Sequence, residues 1–309
     1  MKNFIKKTSP WIIVILILFF LVRTLILNWQ KVKEYNFQIN IYYLLFSFLI
    51  FFLGAFLDSQ VWRFLLLKSK AFLPKFKTFK IHFSSRFGAY VPGKIWFLLI
   101  RSRLCKDEGV TQKDVIVSSL LENGISMIAP SILSLVFVGD YFLGKQYLPI
   151  MIIAIIIGGI FFLRPNFFYS ILNFGLKKFK KETIPQDAQL KSTTLLLALL
   201  FNGLIWLIYG LSFFFFVKAI APIPSNSAMH LIGAYIVSAT VGAWAFFTPY
   251  GLGVREATQS YFLSYLIPLE VSILLSFLTR IWMILNDLIA IVLVKTMDLI
   301  LKIKKPAKT

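Results

Sequence analysis

Acid, thiol and imidazole are scarce in this sequence. Among its 309 residues only 13 are Asp or Glu, two are His and one is Cys. The lone thiol, Cys105, excludes an internal disulfide framework and a cysteine-rich metal site. His82 and His230 lie far apart and stand in neither an HExxH nor an HxxxH arrangement, so a zinc hydrolase pattern is missing. P-loop, Rossmann glycine and nucleophile-elbow patterns are missing too. The expectation is a protein without a cofactor, without an encoded energy source and without enzymatic activity. Charge is scarce overall: 15% of residues, against about a quarter in soluble chains. That excludes a cytosolic enzyme with a water-covered surface.

What is there instead is apolar. The hydrophobic fraction is 58%, the mean hydropathy +0.79, and 33 Phe stand among long Ile and Leu runs. One soluble core of this size would struggle to bury so many aromatic rings, whereas lipid accepts them. The fold class is all-α: a polytopic integral membrane helical bundle of about six to eight crossings. The net charge of +20 would raise nucleic acid as a partner in a soluble protein. Here the positive-inside rule accounts for it, and no nucleic acid is expected.

Along the chain, Met1–Pro10 is basic and Trp11–Leu27 is apolar, with no small-residue cleavage site after it, so a retained first helix is expected. Further spans are expected at Ile41–Leu57, Val115–Val138, Leu148–Leu163, Thr194–Val217 and Val271–Val294. Basic residues cluster at the N-terminus, over Lys68–Lys80, over Lys177–Lys191 and in the tail 295–309. These segments, including both termini, should be cytoplasmic in a cell (plasma or inner) membrane. Residues 1–309 read as one transmembrane domain; the longest polar stretch, Asn173–Ser192, is too short to fold alone.

Two apolar segments are interrupted. Phe83–Ile100 contains Arg86, Pro92, Gly93 and Lys94 between basic flanks, which suits a re-entrant element. Leu231–Ile267 is broken by Pro249, Gly251 and Gly253, and is either re-entrant or two short crossings. Gly/Pro-broken segments, one in each half, are a sequence pointer to a transport site. At the first break, Pro92 suits a helix start and Gly93 a close approach. Lys94, with Arg86 and Arg101 about two turns to either side, adds charge where a helix N-terminus already favours an anion. A proline kink with snorkelling cations is the other reading. At the second break Arg255 opens the following helix and Glu256 supplies a countercharge. Adjacent helical residues do not face each other, so Glu256 should pair with another element, Arg86 and Lys94 being candidates. A structural turn closed by an interhelical ion pair is the alternative.

Other polar residues interrupt the spans. Glu122 needs a cation or a proton; Arg101 and Arg103 are the candidate partners. Arg280 and Asp287, seven residues apart, share one face of the last span and suit interhelical pairing or one wall of a polar cavity. Asp58 is expected at a membrane edge, solvated.

The run Arg86-Phe87-Gly88-Ala89-Tyr90-Val91-Pro92-Gly93-Lys94, with Arg101, Gly109-Val110-Thr111 and Glu122, resembles the transmembrane region of lysylphosphatidylglycerol synthases, the flippase-like domain family. Thr248-Pro249-Tyr250-Gly251-Leu252-Gly253-Val254-Arg255-Glu256 is similar to that family's Pro-x-Gly-x-Gly-x-x-Glu element, and Arg280 sits where an Arg often opens its last helical region. Many members follow the helix Glu with Arg and then Asp; here Asn123 and Ser126 stand instead. No cytosolic aminoacyl-transferase domain is expected, so lysyl transfer is not implied. The resemblance implies a lipid-translocating domain. Its expected partners are lipids with anionic headgroups, phospholipid or polyprenyl-phosphate sugar, and glycosyltransferases or other envelope-synthesis enzymes. The expected substrate-binding residues are Arg86, Pro92, Gly93, Lys94, Arg101, Glu122, Pro249, Gly251, Gly253, Arg255, Glu256 and Arg280. A membrane transferase using a lipid-phosphate donor, or a non-transporting scaffold, is the rival reading.

Overall fold

A computed structural model of the chain describes residues 2–68, 71–86, 88, 96–138, 149, 169–170, 173–174, 177, 183, 189–246 and 248–303. Ten α-helices run through them: α1 (Lys2–Leu27), α2 (Trp29–Glu34), α3 (Ile41–Lys68), α4 (Lys75–Arg86), α5 (Trp96–Lys106), α6 (Gln112–Val138), α7 (Ser192–Lys218), α8 (Ala228–Trp244), α9 (Val254–Leu263) and α10 (Leu269–Ile303). Five segments are long and apolar enough to cross a membrane: Ile41–Lys68, Gln112–Val138, Ser192–Lys218, Ser225–Trp244 and Leu269–Val294. The protein is a polytopic helical membrane bundle. All of the expected span Leu148–Leu163 except residue 149, and the break residues Pro92, Gly93 and Lys94, lie outside the described residues.

Starts and stops follow local chemistry. Asn40 opens α3, its side-chain oxygen accepting the N–H groups of Tyr42 (3.0 Å) and Tyr43 (3.2 Å). Thr111 opens α6 in the same way, accepting from the N–H of Asp114, just after Gly109 turns the chain at φ 72°. α3 runs on well past the sequence expectation of Leu57, through Asp58 and Arg63 to Lys68. Arg63 need not reach water, because its Nε–H donates to the Leu73 carbonyl at 2.7 Å.

α3 and α7 form the central antiparallel pair. The Ser212 hydroxyl donates to the Ser47 carbonyl (2.6 Å), and the Trp282 indole N–H of α10 donates to Ser47 Oγ (3.2 Å). Phe51, Tyr209, Phe213, Phe216 and Trp282 pack around this seam. Outward faces carry Leu45, Leu49 and Leu53 on α3 and Leu197, Leu200 and Leu204 on α7, all exposed at three- or four-residue spacing. Lipid covers such faces without cost, so close packing and interhelical hydrogen bonds, rather than apolar burial, hold the helices together.

Two hairpins enter this bundle from opposite ends. α4 and α5 have 12 and 11 residues, each about half the length needed to span a core of about 30 Å. Their outer ends are tied at one end of the bundle by the Lys77–Glu108 ion pair. Gly88 closes the inner end: a Cβ there would lie 2.4 Å from the Phe97 backbone nitrogen. The second hairpin is α8 and α9. α8 begins at the other end, and the ten-residue α9 returns to it, His230 Nε2 meeting the Phe262 carbonyl at 2.8 Å. At that same end the Gln38 N–H donates to the Ile220 carbonyl, and Lys31 pairs with Glu270 at 3.4 Å. The second break is therefore an asymmetric hairpin: a full-length helix in and a half-length helix back.

Candidate functional site

The second break is a tight, strained turn. Tyr250 holds φ 50°, rare for a residue with a side chain, and Gly251 and Gly253 hold φ 72° and 81°. Gly251 lies so close to α8 that a Cβ would come within 2.8 Å of Gly242 Cα. An ion pair clamps the turn. Glu256 Oε2 accepts the Gly253 N–H (2.7 Å), and Oε1 accepts from Arg280 Nε (2.7 Å) with Nη2 at 2.6 Å. Arg280 Nη1–H donates to the Tyr250 carbonyl at 3.2 Å. Glu256 thus does pair with another element, but with Arg280 of α10 rather than Arg86. One turn of α9 makes the choice: it aims Glu256 at α10 and Arg255 the other way.

Arg255 faces a cavity of about 280 Å³. Arg86 at the end of α4 lines the same cavity, so the tips of the two hairpins converge there. Asp58, His82, Arg101 and Glu122 form one part of its wall; Trp206, Tyr209, Tyr235 and Tyr250 form an aromatic part; Asn123, which is exposed, and Ser126 complete it. The lining is of mixed charge, with Arg86, Arg101 and Arg255 beside Asp58 and Glu122.

The cations differ in what holds them. Arg101 is saturated: Nε donates to Ser85 Oγ (3.2 Å), Nη1 to Ser119 Oγ (3.1 Å) and to Glu122, Nη2 meets His82 Nδ1 (3.1 Å), and the Trp62 ring lies 4.2 Å from its Cζ. Glu122 therefore has the partner expected of it. Arg86 meets Asp287 of α10 at 3.8 Å, and its Nη1 makes no hydrogen bond among the described residues. Arg255 is only 7% exposed, yet its Nε and Nη2 have no hydrogen-bond partner and it joins no ion pair among the described residues. Its guanidinium instead lies 4.9 Å from the Tyr235 ring centre. The Tyr209 hydroxyl, also on the cavity, likewise has no hydrogen-bond partner among the described residues.

Glu256, Gly251, Gly253, Pro249 and Arg280 do not line the cavity themselves, Gly251 and Gly253 shaping the turn that carries Tyr250 and Arg255 into it. Arg280 and Asp287 do share one face, and each pins one hairpin: Arg280 the α9 turn, Asp287 the end of α4. Asp58 is not solvated at an edge. Its side chain is 18% exposed and meets His82 Nε2 at 3.6 Å, because α3 continues and carries it inside. Sequence reading missed Asp58, His82, Tyr209 and Tyr235. A signal existed for the first two. Asp58 continues the buried α3 stripe of Phe51, Gly54 and Ala55 toward Trp62 and Leu65, and His82 shares a three-to-four spacing with Thr78, Ser85 and Arg86.

The family described as the lysylphosphatidylglycerol synthase TM region matches residues 11–290. No curated protein and no solved structure matches the chain.

Proposed function

The chain belongs to the lysylphosphatidylglycerol synthase TM region family, and from that premise we propose that it moves lipids across the bilayer, taking an anionic headgroup into the cavity between its two hairpins. Arg255 carries the reading. A buried guanidinium with two unpartnered nitrogens is costly, by several kcal/mol, and the cavity is where an anion would offset that cost. The arginine fork matches phosphate oxygens two at a time. Arg86 and the Tyr209 hydroxyl offer further unfilled donors on the same walls. A volume of about 280 Å³ is near the lower limit of small-molecule sites, roughly 300 Å³. It suits a phosphate headgroup, with the acyl chains left in lipid. Translocation here involves no covalent chemistry. The substrate is a phospholipid or a lipid-phosphate sugar used in envelope assembly.

Translocation of fluorescent phosphatidylglycerol in proteoliposomes, read by quenching of the accessible leaflet, tests this. A charge-assisted hydrogen bond is worth about 1.5–3 kcal/mol, so Arg255→Gln should slow transfer by about ten-fold or more. Folded Arg255→Gln protein that transfers lipid at the wild-type rate refutes the assignment. A polyprenyl-phosphate sugar run in parallel identifies the preferred lipid class. We further propose a plasma-membrane location with the Lys77–Glu108 end cytoplasmic. In a cysteine-free background, Ser227→Cys should then react with an impermeant maleimide in intact cells and Lys75→Cys only after permeabilisation; the reverse pattern inverts the topology.

A further inference from the structure

We propose that His82 is a proton-binding site coupled to anion occupancy of the cavity, a role that rests on the headgroup reading above. Each element packed around the imidazole presents one charged group to this region. Asp58 comes from α3, Arg101 from α5 and Glu122 from α6, while Asp287 of α10 engages Arg86 one turn further along α4. His82 itself is 3% exposed and lines the cavity.

The geometry offers Nδ1 a partner in either protonation state. Nδ1 stands between a donor, Arg101 Nη2 at 3.1 Å, and an acceptor, Glu122 Oε1 at 3.3 Å. A neutral ring accepts from Arg101 at Nδ1 and points its Nε2–H at Asp58. A charged ring donates from Nδ1 to Glu122 and keeps Nε2–H toward Asp58, while Arg101 Nη2–H, now facing a second donor, turns off the ring. With the ring neutral, Asp58, Glu122 and Arg101 sum to one negative charge; with the ring charged, the cluster is neutral. An anion brought to Arg255 and Arg86 adds negative charge across the same cavity and therefore favours the charged ring. Linkage is reciprocal, so the proton strengthens anion binding. Affinity is highest at low pH and falls as pH rises, by at most about ten-fold per unit for one linked proton. In a pH gradient this gives a headgroup site that loads on the acidic side and releases on the other.

The test uses the purified full-length chain and dihexanoyl phosphatidylglycerol, a phosphodiester that does not itself titrate between about pH 5 and 8. Because the chain has only two histidines, ¹⁵N-imidazole NMR of His230→Gln protein reports His82 alone. The expected result is a titration in that interval whose midpoint rises on adding the lipid and falls in Asp58→Asn. Binding should weaken with pH in the wild type and be flat and weak in His82→Gln. An imidazole that stays in one state across the interval, a midpoint indifferent to saturating lipid, or a pH slope that survives His82→Gln each overturns the proton site. Wild-type protein that binds no phosphodiester at any pH refutes the headgroup reading instead, and the coupling with it. Glycerol phosphate in place of the lipid separates a free-phosphate site from a lipid site.

Discussion

Consider the clamp between Glu256 and Arg280, which holds the second break in shape. Glu256 is buried and uses both oxygens: one on the Gly253 N–H, one on the Arg280 guanidinium, which also reaches the Tyr250 carbonyl. Removing one partner strands the other as a buried charge, which costs about 3–5 kcal/mol. Glu256→Leu and Arg280→Met should each lose that much, a fall of about 10 °C in Tm at roughly 2–4 °C per kcal/mol. The double variant strands no charge. It forfeits the Gly253 cap, about 1 kcal/mol, and the Tyr250 hydrogen bond, about 1.5–3 kcal/mol. It should therefore lose about 2–4 kcal/mol, not the roughly 6–10 kcal/mol that adding two single losses gives. Thermal unfolding of the four proteins in one detergent measures the cycle. Lipid transfer should still fail in the double variant, because the turn that presents Arg255 is no longer pinned. Strictly additive losses would refute the clamp.

The glycines of the break should rank by contact. Gly251→Ala meets both a left-handed φ and a Gly242 Cα 2.8 Å away, whereas Gly253→Ala meets the same kind of φ but only an ordinary 3.5 Å contact with Ile17. The second should cost about 1–2 kcal/mol and the first clearly more; equal losses of Tm would show that α8 yields at Gly242. Cys105 is fully buried among Trp62, Leu66, Ile81 and Val115, and burial pushes its thiol up to about 11. The group is protonated below that value, so at pH 7.5 native protein should resist iodoacetamide and react once unfolded. Rapid modification of the native protein would contradict the packing between α3, α4, α5 and α6.

Class and broad organisation were legible early because membrane burial acts on composition. Long apolar runs, sparse charge and two Gly/Pro interruptions need no partner to be recognised. The second break was read closely for the same reason: Pro249, Gly251, Gly253 and the adjacent Arg255 and Glu256 are contiguous, and a helix sends neighbours to different faces. Asp58 and His82 were harder. An acid a few residues beyond an apolar run reads as solvated until the helix is known to continue, and a histidine 24 positions later gives no hint that it faces that acid.

The sequence by itself determined that this chain lives in lipid, that it is helical there, and where the second break falls, since hydropathy and backbone freedom are properties of local residues. Only the tertiary structure decided which charges neutralise one another. It sent Glu256 to Arg280 and Glu122 to Arg101, set Asp58 beside His82, and left two nitrogens of Arg255 without a hydrogen-bond partner beside a cavity, among the described residues. Electrostatic pairing depends on distance in space, and these groups meet only when four or more helices pack together.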